Sequence, residues 1–199
     1  MQASYLTRHP FAKDVINVVI FVVLVIIGTT FINAFVFRSF NVVGPSMKET
    51  LHSGDRLIVN RLPVTWDKLR NRPYVPERGQ VIVFLNPKYI PGVEEQYIVK
   101  RVIGLPGEKV VLDNGVFTVY NDEFPNGFNP DDSFDDQPLG PASHEIITTV
   151  PDGHLFVTGD NRVGNNSYDS RSGLGPIPIY DVVGPVSVRI FPFDDLRFF

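Results

Sequence analysis

The chain divides near Phe37 into two regions of different hydrophobic rhythm. From Val15 to Phe37 run 23 residues without a charge, VINVVIFVVLVIIGTTFINAFVF. As a helix that stretch reaches about 34 Å at roughly 1.5 Å per residue, and a bilayer core is roughly 30 Å thick. A core helix of this length would carry a polar stripe, whereas only Asn17 and Asn33 interrupt this one. A cleavable leader would end on small residues, but the exit here reads AFVFRSF. The pattern predicts one uncleaved transmembrane helix over 15–37, preceded by a short tail, 1–14.

After Ser39 the rhythm changes to short β-branched runs separated by Gly, Pro and Asn. Strands are expected at Phe40–Val43, Arg56–Asn60, Gln80–Leu85, Tyr97–Ile103, Lys109–Leu112, Val116–Tyr120, Glu145–Val150, Leu155–Thr158 and Val182–Ile190. Asp113–Gly115 lies between two apolar runs and reads as a hairpin turn. Beyond the anchor nothing sustains helical periodicity for three turns, and Trp66–Arg70 is expected to form one short turn of helix. The prediction is an all-β domain over 38–199, barrel-like and folded on itself so that few edges stay open.

Two segments interrupt the strands. Leu62–Arg78 is basic and aromatic, and Asn121–Ser143 is Pro/Gly-rich with six acidic residues and no basic one. Both are expected to be solvated surface loops. A second reading of the first is contact with anionic headgroups, with Trp66 as an interfacial anchor. The acids of 121–143 lack the spacing and glycine of a calcium loop.

Charge and rare residues narrow the chemistry. Eighteen Lys and Arg against 22 Asp and Glu leave a net charge of −4, with no basic surplus for phosphates, so nucleic acid is not an expected partner. There is no cysteine, which excludes disulfides and thiolate metal sites. His9, His52, His144 and His154 show no ligand spacing, so no metal is expected. Arg8 and Lys13 before the span balance Arg38 and Lys48 after it, and charge alone does not orient the helix.

Four segments carry candidate chemistry: VVGPSMKETL (42–51), GDRLIVNRL (54–62), QYIVKRVIGLPGEKV (96–110) and VTGDNRVGNNSYDSRSGLGPI (157–177). Strand alternation sets Ile98, Lys100 and Val102 on one face, and Val99, Arg101 and Ile103 on the other. A lysine between two β-branched neighbours is desolvated, which lowers its pKa. Only the neutral amine can accept a serine proton, and a serine enzyme can then work without histidine and aspartate. Asp160 is placed to neutralise Arg101, Asp169 to pair with Arg171, and Ser167 is short enough to hold an amine by one hydrogen bond.

In order and spacing these segments resemble the boxes of bacterial type I signal peptidases. PSMKETL is similar to that family's SMxPTL box, YIVKRVIGLPGE to its KRxxGLPGD box, and GDNR…NSYDSR to its last box. The resemblance implies an all-β catalytic domain with Ser46 as nucleophile and Lys100 as general base, oriented by Ser167. It implies the pairs Arg101–Asp160 and Asp169–Arg171, an oxyanion donor in the Ser46 backbone N–H, and small apolar substrate pockets lined by Val42 and Val99. No cofactor is implied. The expected partners are preproteins bearing signal peptides and the lipid bilayer, with the enzyme in the plasma membrane, its amino terminus cytoplasmic and its catalytic domain on the outer face. Where some relatives have a serine donor this chain has Gly44, as many members of the family do; it departs from the family pattern at Glu49, in place of a proline, and in two additional residues between Arg162 and Ser167. Those departures define the alternative, a catalytically degenerate tethered β module that binds signal sequences without cutting. A self-cleaving repressor-type peptidase shares the serine–lysine chemistry, but a membrane span stands where its DNA-binding domain would be.

Overall fold

The computed structural model describes residues 10–199 apart from 94, 135, 143, 144 and 165. His144 and the head of the tail, 1–9, thus lie outside the described residues. Helix α1 runs from Pro10 to Phe31, and a π-helical turn, Ile32–Val36, follows it. Within the helical stretch Phe11–Val36 the most apolar 18 residues have a mean hydropathy of 2.9, and none of them is buried against the rest of the chain. The stretch is long and apolar enough to cross a membrane. The helix itself does not share the bounds expected for the uncharged span, 15–37. The helix starts earlier and takes in Lys13 and Asp14, while Phe37 already belongs to a strand.

That strand, β1 (Phe37–Asn41), pairs antiparallel with β2 (Arg56–Asn60), with Phe37 opposite Asn60 and Asn41 opposite Arg56. It was expected at Phe40–Val43. Pairing with β2 settles the register instead, because 37–41 has little apolar alternation of its own (burial alternates exposed and half-buried). Helix α2 (Leu62–Leu69) is two turns long, where one turn at Trp66–Arg70 was expected. Proline near its first position suits a helix start. The Thr65 hydroxyl donates to Phe35 O at 2.9 Å and the Arg61 N–H to Val36 O at 2.8 Å, which fastens α2 to the π-turn.

The remaining strands are β3 (Val81–Leu85), β4 (Tyr97–Gly104), β5 (Lys109–Asp113), β6 (Val116–Tyr120), β7 (Ile146–Thr149), β8 (His154–Thr158), β9 (Ile177–Pro178), β10 (Val182–Phe191) and β11 (Arg197–Phe198). The main sheet has the order β1-β2-β10-β3-β4-β8-β9, with β11 added to β10, and a smaller sheet has the order β6-β5-β7. The long β10 serves two partners: Val182–Pro185 pairs with β3 and Val186–Phe191 with β2, with register shifts that bend it. At that bend Gly184 lies against Asn60 O, where a Cβ would collide. The folded, mostly β domain expected from sequence is present.

Packing follows the sheets. One cluster joins Val42, Met47, Leu51, Leu57 and Val83, a second joins Ile82, Val102, Val157 and Ile177, and a third joins Ile103, Val110, Phe117 and Phe156. Strand β4 contributes to the second and third, so it is buried on both faces, and the alternation read from its sequence holds.

The acidic segment 121–142 is not the solvated loop that was expected. It contains a 3-10 turn (Pro130–Ser133) and a bridge from Leu139 to Asn161. Its Phe134 is buried, and two of its carboxylates, Asp131 and Asp136, pair with arginines, as described below, while Asp122, Glu123 and Asp132 stay exposed.

Candidate active site

Ser46 sits in an excursion between β1 and β2. The excursion is closed at its base by Val42 N–H to Asp55 O at 2.8 Å and Gly54 N–H to Val42 O at 3.0 Å. Asp55, from the GDR segment, accepts from His52 N–H at 2.9 Å and from Arg189 at 3.2 Å, which ties the loop to β10. Met47 and Leu51 are buried below it, and Leu51 N–H donates to Met47 O. The turn closes without the family's proline, since Lys48 N–H reaches Pro45 O at 3.1 Å.

Lys100 rises from β4 beside this loop. Its Nζ donates to Ser46 Oγ at 2.7 Å and to Val99 O at 2.9 Å, and the residue is only 3 % exposed. Burial is the main cause that lowers its pKa, from 10.5 to about 8; Asp169 and Asp160 oppose that change and Arg171 adds to it. The amine thus exchanges its proton close to neutrality while touching a hydroxyl. The backbone N–H of Ser46 meets no backbone acceptor among the described residues.

Arg101, on the opposite face of β4, forms a fork with Asp160 (Nε to Oδ1 2.9 Å, a second nitrogen to Oδ2 2.6 Å) and donates to Gly79 O at 2.8 Å. Burial opposes the guanidinium's charge, but Asp160, with Asp136 and Asp131 further off, outweighs it and raises the pKa. Thr50 completes this cluster by donating to Asp160 Oδ2 at 2.5 Å. Asp169 and Arg171 also pair, at 2.8 Å. Burial pushes the Asp169 carboxyl up, yet Arg171 and the Gly159 N–H more than compensate and hold it below the usual carboxylate range.

Ser167 reaches the same neighbourhood. A Cβ added to Gly159 would strike both Ser46 O and Ser167 Oγ, so glycine is what lets the three segments meet. The expected hydrogen bond from Ser167 to Lys100 is not formed. The buried hydroxyl lies near Asp169 without well-aligned bonding geometry and has no hydrogen-bond partner among the described residues. The two additional residues between Arg162 and Ser167 fall within 163–165, of which 163–164 bend and turn and 165 lies outside the described residues.

In front of the pair opens a cleft of about 290 Å³, whose lining includes Val42, Gly44, Ser46, Val99, Lys100 and Tyr168. Both valines expected at a substrate pocket therefore face it. Sequence reading missed Thr50, Gly159 and Asn161. Asn161 donates its N–H to Ser46 O at 3.0 Å and its side-chain amide to Pro45 O at 3.1 Å, gripping the peptide that carries the serine. All three lie inside the motifs singled out, but spacing does not say which motif residue supports which.

A serine hydroxyl bonded to a desolvated amine, at the head of an apolar cleft in a folded β-sheet, is the arrangement of a serine–lysine hydrolase. The family model described as Signal peptidase, peptidase S26, matches residues 13–191, and the chain belongs to that family of serine peptidases. It is 35 % identical over 190 residues to Signal peptidase I of Bacillus caldolyticus, covering 89 % of this chain and 91 % of the relative. Signal peptidase I of Bacillus amyloliquefaciens is 34 % identical over 168 residues, 83 % of this chain and 80 % of the relative. Probable signal peptidase I-1 of Synechocystis is 36 % identical over 151 residues, 74 % of this chain and 67 % of the relative. With the apolar helix α1, the chain is a membrane-anchored peptidase.

Proposed function

We propose that this chain removes amino-terminal signal peptides from exported preproteins, with Ser46 as nucleophile and Lys100 as general base. The observation that carries the reading is the 2.7 Å contact between the buried Lys100 Nζ and Ser46 Oγ. The neutral amine takes the hydroxyl proton as Oγ attacks the carbonyl carbon of the residue before the cut. The Ser46 N–H receives the developing oxyanion; Gly44 brings no hydroxyl, so a second donor comes from elsewhere. The ammonium then protonates the leaving amine, and the regenerated base activates water to release the acyl group. A charged lysine gains a donor, and the otherwise unpartnered Ser167 hydroxyl is assigned to receive it. Arg101–Asp160 and Asp169–Arg171 hold the strand and the loop that flank the dyad.

Val42 and Val99 line the cleft, and in this reading they favour Ala-sized substrate side chains near the cut. The organisation follows: a cytoplasmic tail (1–14), the bilayer span, and the domain 38–199 on the outer face, where preproteins emerge. Nothing favours the degenerate alternative, since serine and lysine are both present and in contact. The test is cleavage of a synthetic peptide bearing an Ala-x-Ala site by the purified full-length chain. Cleavage is expected for the native chain and not for Ser46→Ala or Lys100→Ala; activity surviving in either variant would refute the dyad.

A further inference from the structure

Arg162 has no part in the steps above, yet it is among the most deeply buried side chains of the molecule, at 1 % exposure. Its guanidinium makes a two-pronged ion pair with Asp131, at 2.7 and 2.8 Å, from the acidic segment between β6 and β7. The third nitrogen, Nε, donates to Gly159 O at 3.0 Å, and the ring of Phe117 lies under the guanidinium, 4.9 Å from its carbon. Gly159 is the residue at which any added Cβ would collide with Ser46 O and the Ser167 hydroxyl, so the strip packs closely on the serine loop there. Its N–H is held by Asp169 at 2.9 Å, so both of its polar backbone groups are fixed by charged side chains.

The next residues continue the same path. Asn161 N–H donates to Ser46 O, while Leu139 brackets the strip from behind through Leu139 N–H to Asp160 O at 2.8 Å and Arg162 N–H to Leu139 O at 3.1 Å. The strip 159–162 is therefore clamped between the serine loop on one side and the acidic segment on the other. The same segment supplies Phe134, whose ring lies 4.8 Å from the Arg101 guanidinium carbon, and Asp136, 3.7 Å from an Arg101 nitrogen.

We infer that Asp131, through Arg162 and Gly159, is a positioning residue for the Ser46–Lys100 pair, and that the acidic segment is the backing of the active site. This rests on the catalytic reading of Ser46 and Lys100 given above. A carboxylate alone would not fix a direction. The forked pair does, because guanidinium and carboxylate planes must align, and the guanidinium's remaining edge is then aimed at one carbonyl. Displacing the serine loop relative to the amine by a fraction of an ångström lengthens a proton-transfer contact. A misplacement of about 1 Å from a remote change can cost on the order of a hundredfold in rate.

The test compares three variants of the full-length chain in peptide cleavage, well below their melting temperatures. Asp131→Asn keeps shape and loses the fork; kcat is expected to fall about tenfold or more with KM held within about twofold, since the cleft is untouched. Asp122→Asn makes the same charge change at an exposed position of the same segment and should leave kcat unaltered. Gly127→Ala destabilises the segment away from the pair, because its Cβ would meet Thr118 and Tyr120 at 2.6 and 2.8 Å. If Gly127→Ala lowers kcat as much as Asp131→Asn for an equal loss of melting temperature, the pair is merely structural and the inference falls. A kcat for Asp131→Asn within twofold of the native value also overturns it. Should Asp131→Asn not fold, Arg162→Lys, which keeps the charge and loses the fork, takes its place with the same expected and overturning results. A native chain that cleaves nothing defeats the catalytic reading instead.

Discussion

Lys100 is costly where it stands. Its folded pKa, about 8, lies below the unfolded value of 10.5. Between those limits the unfolded chain binds more protons, so stability rises with pH through the window. Below about pH 8 the folded state carries a penalty of roughly 3 kcal/mol for holding a charged, buried amine. Two outcomes follow at the scale of this residue. The rate kcat/KM is expected to climb about tenfold per pH unit on its acid side and to level off above about pH 8, as the neutral base accumulates. A pH-independent rate between 6 and 9 would rule the amine out as base. Lys100→Met, which fills the same space without charge, should melt at a higher temperature than the native chain at pH 7 while cutting nothing; calorimetry that found it less stable would contradict the desolvation account. Both rest on the burial of the amine, which was legible in the sequence because its neighbours Ile98 and Val102 are two positions away in a strand. The missing Ser167–Lys100 bond was not legible, since it depends on which way a hydroxyl and an amine turn when several acceptors are in reach.

Among elements, β4 is the one on which the site is built, presenting Lys100 and Arg101 to opposite faces from adjacent positions. Truncating Arg101 leaves Asp160 buried at 1 % exposure without its fork. Arg101→Ala is expected to lose about 3 to 5 kcal/mol of stability, and Lys100→Ala much less; thermal unfolding that ranks them the other way would count against the pair as a structural tie. The alternation of β4 could be read directly, as a period of two leaves little choice once one face is apolar. The register of β1 could not, because its partner decides it, nor could α2, whose β-branched Val64 and Thr65 are weak helix formers held by contacts to the π-turn. The acidic segment misled for a related reason. Its density of carboxylates was plain, but Asp131 answers to an arginine 31 residues on, and Asp136 to one 61 residues on. Only the folded chain shows that those charges face inward.

At the scale of the molecule, one membrane helix and one folded sheet share a junction made of three parts: the π-turn, α2 and the start of β1. The orientation proposed for it is tested by attaching a reporter after Phe199. Activity of a reporter that works only outside the cytoplasm is expected; activity only of a cytoplasmic one would invert the topology. The family and the fold class were readable from ordered motifs and strand rhythm, whereas the long-range ties that brace the reactive serine were not. The junction has a consequence of its own. Because β1 begins at Phe37, directly where the π-turn ends, and runs in a fixed ladder with β2, there is no slack cord between bilayer and blade. The five residues of that strand span about 17 Å at roughly 3.4 Å each, so Ser46, in the loop that follows, is tied to the end of the apolar helix through a short, hydrogen-bonded strand. On the proposed reading of Ser46, inserting residues into β1 is expected to shift the position of the cut, which sequencing of the cleaved product would read.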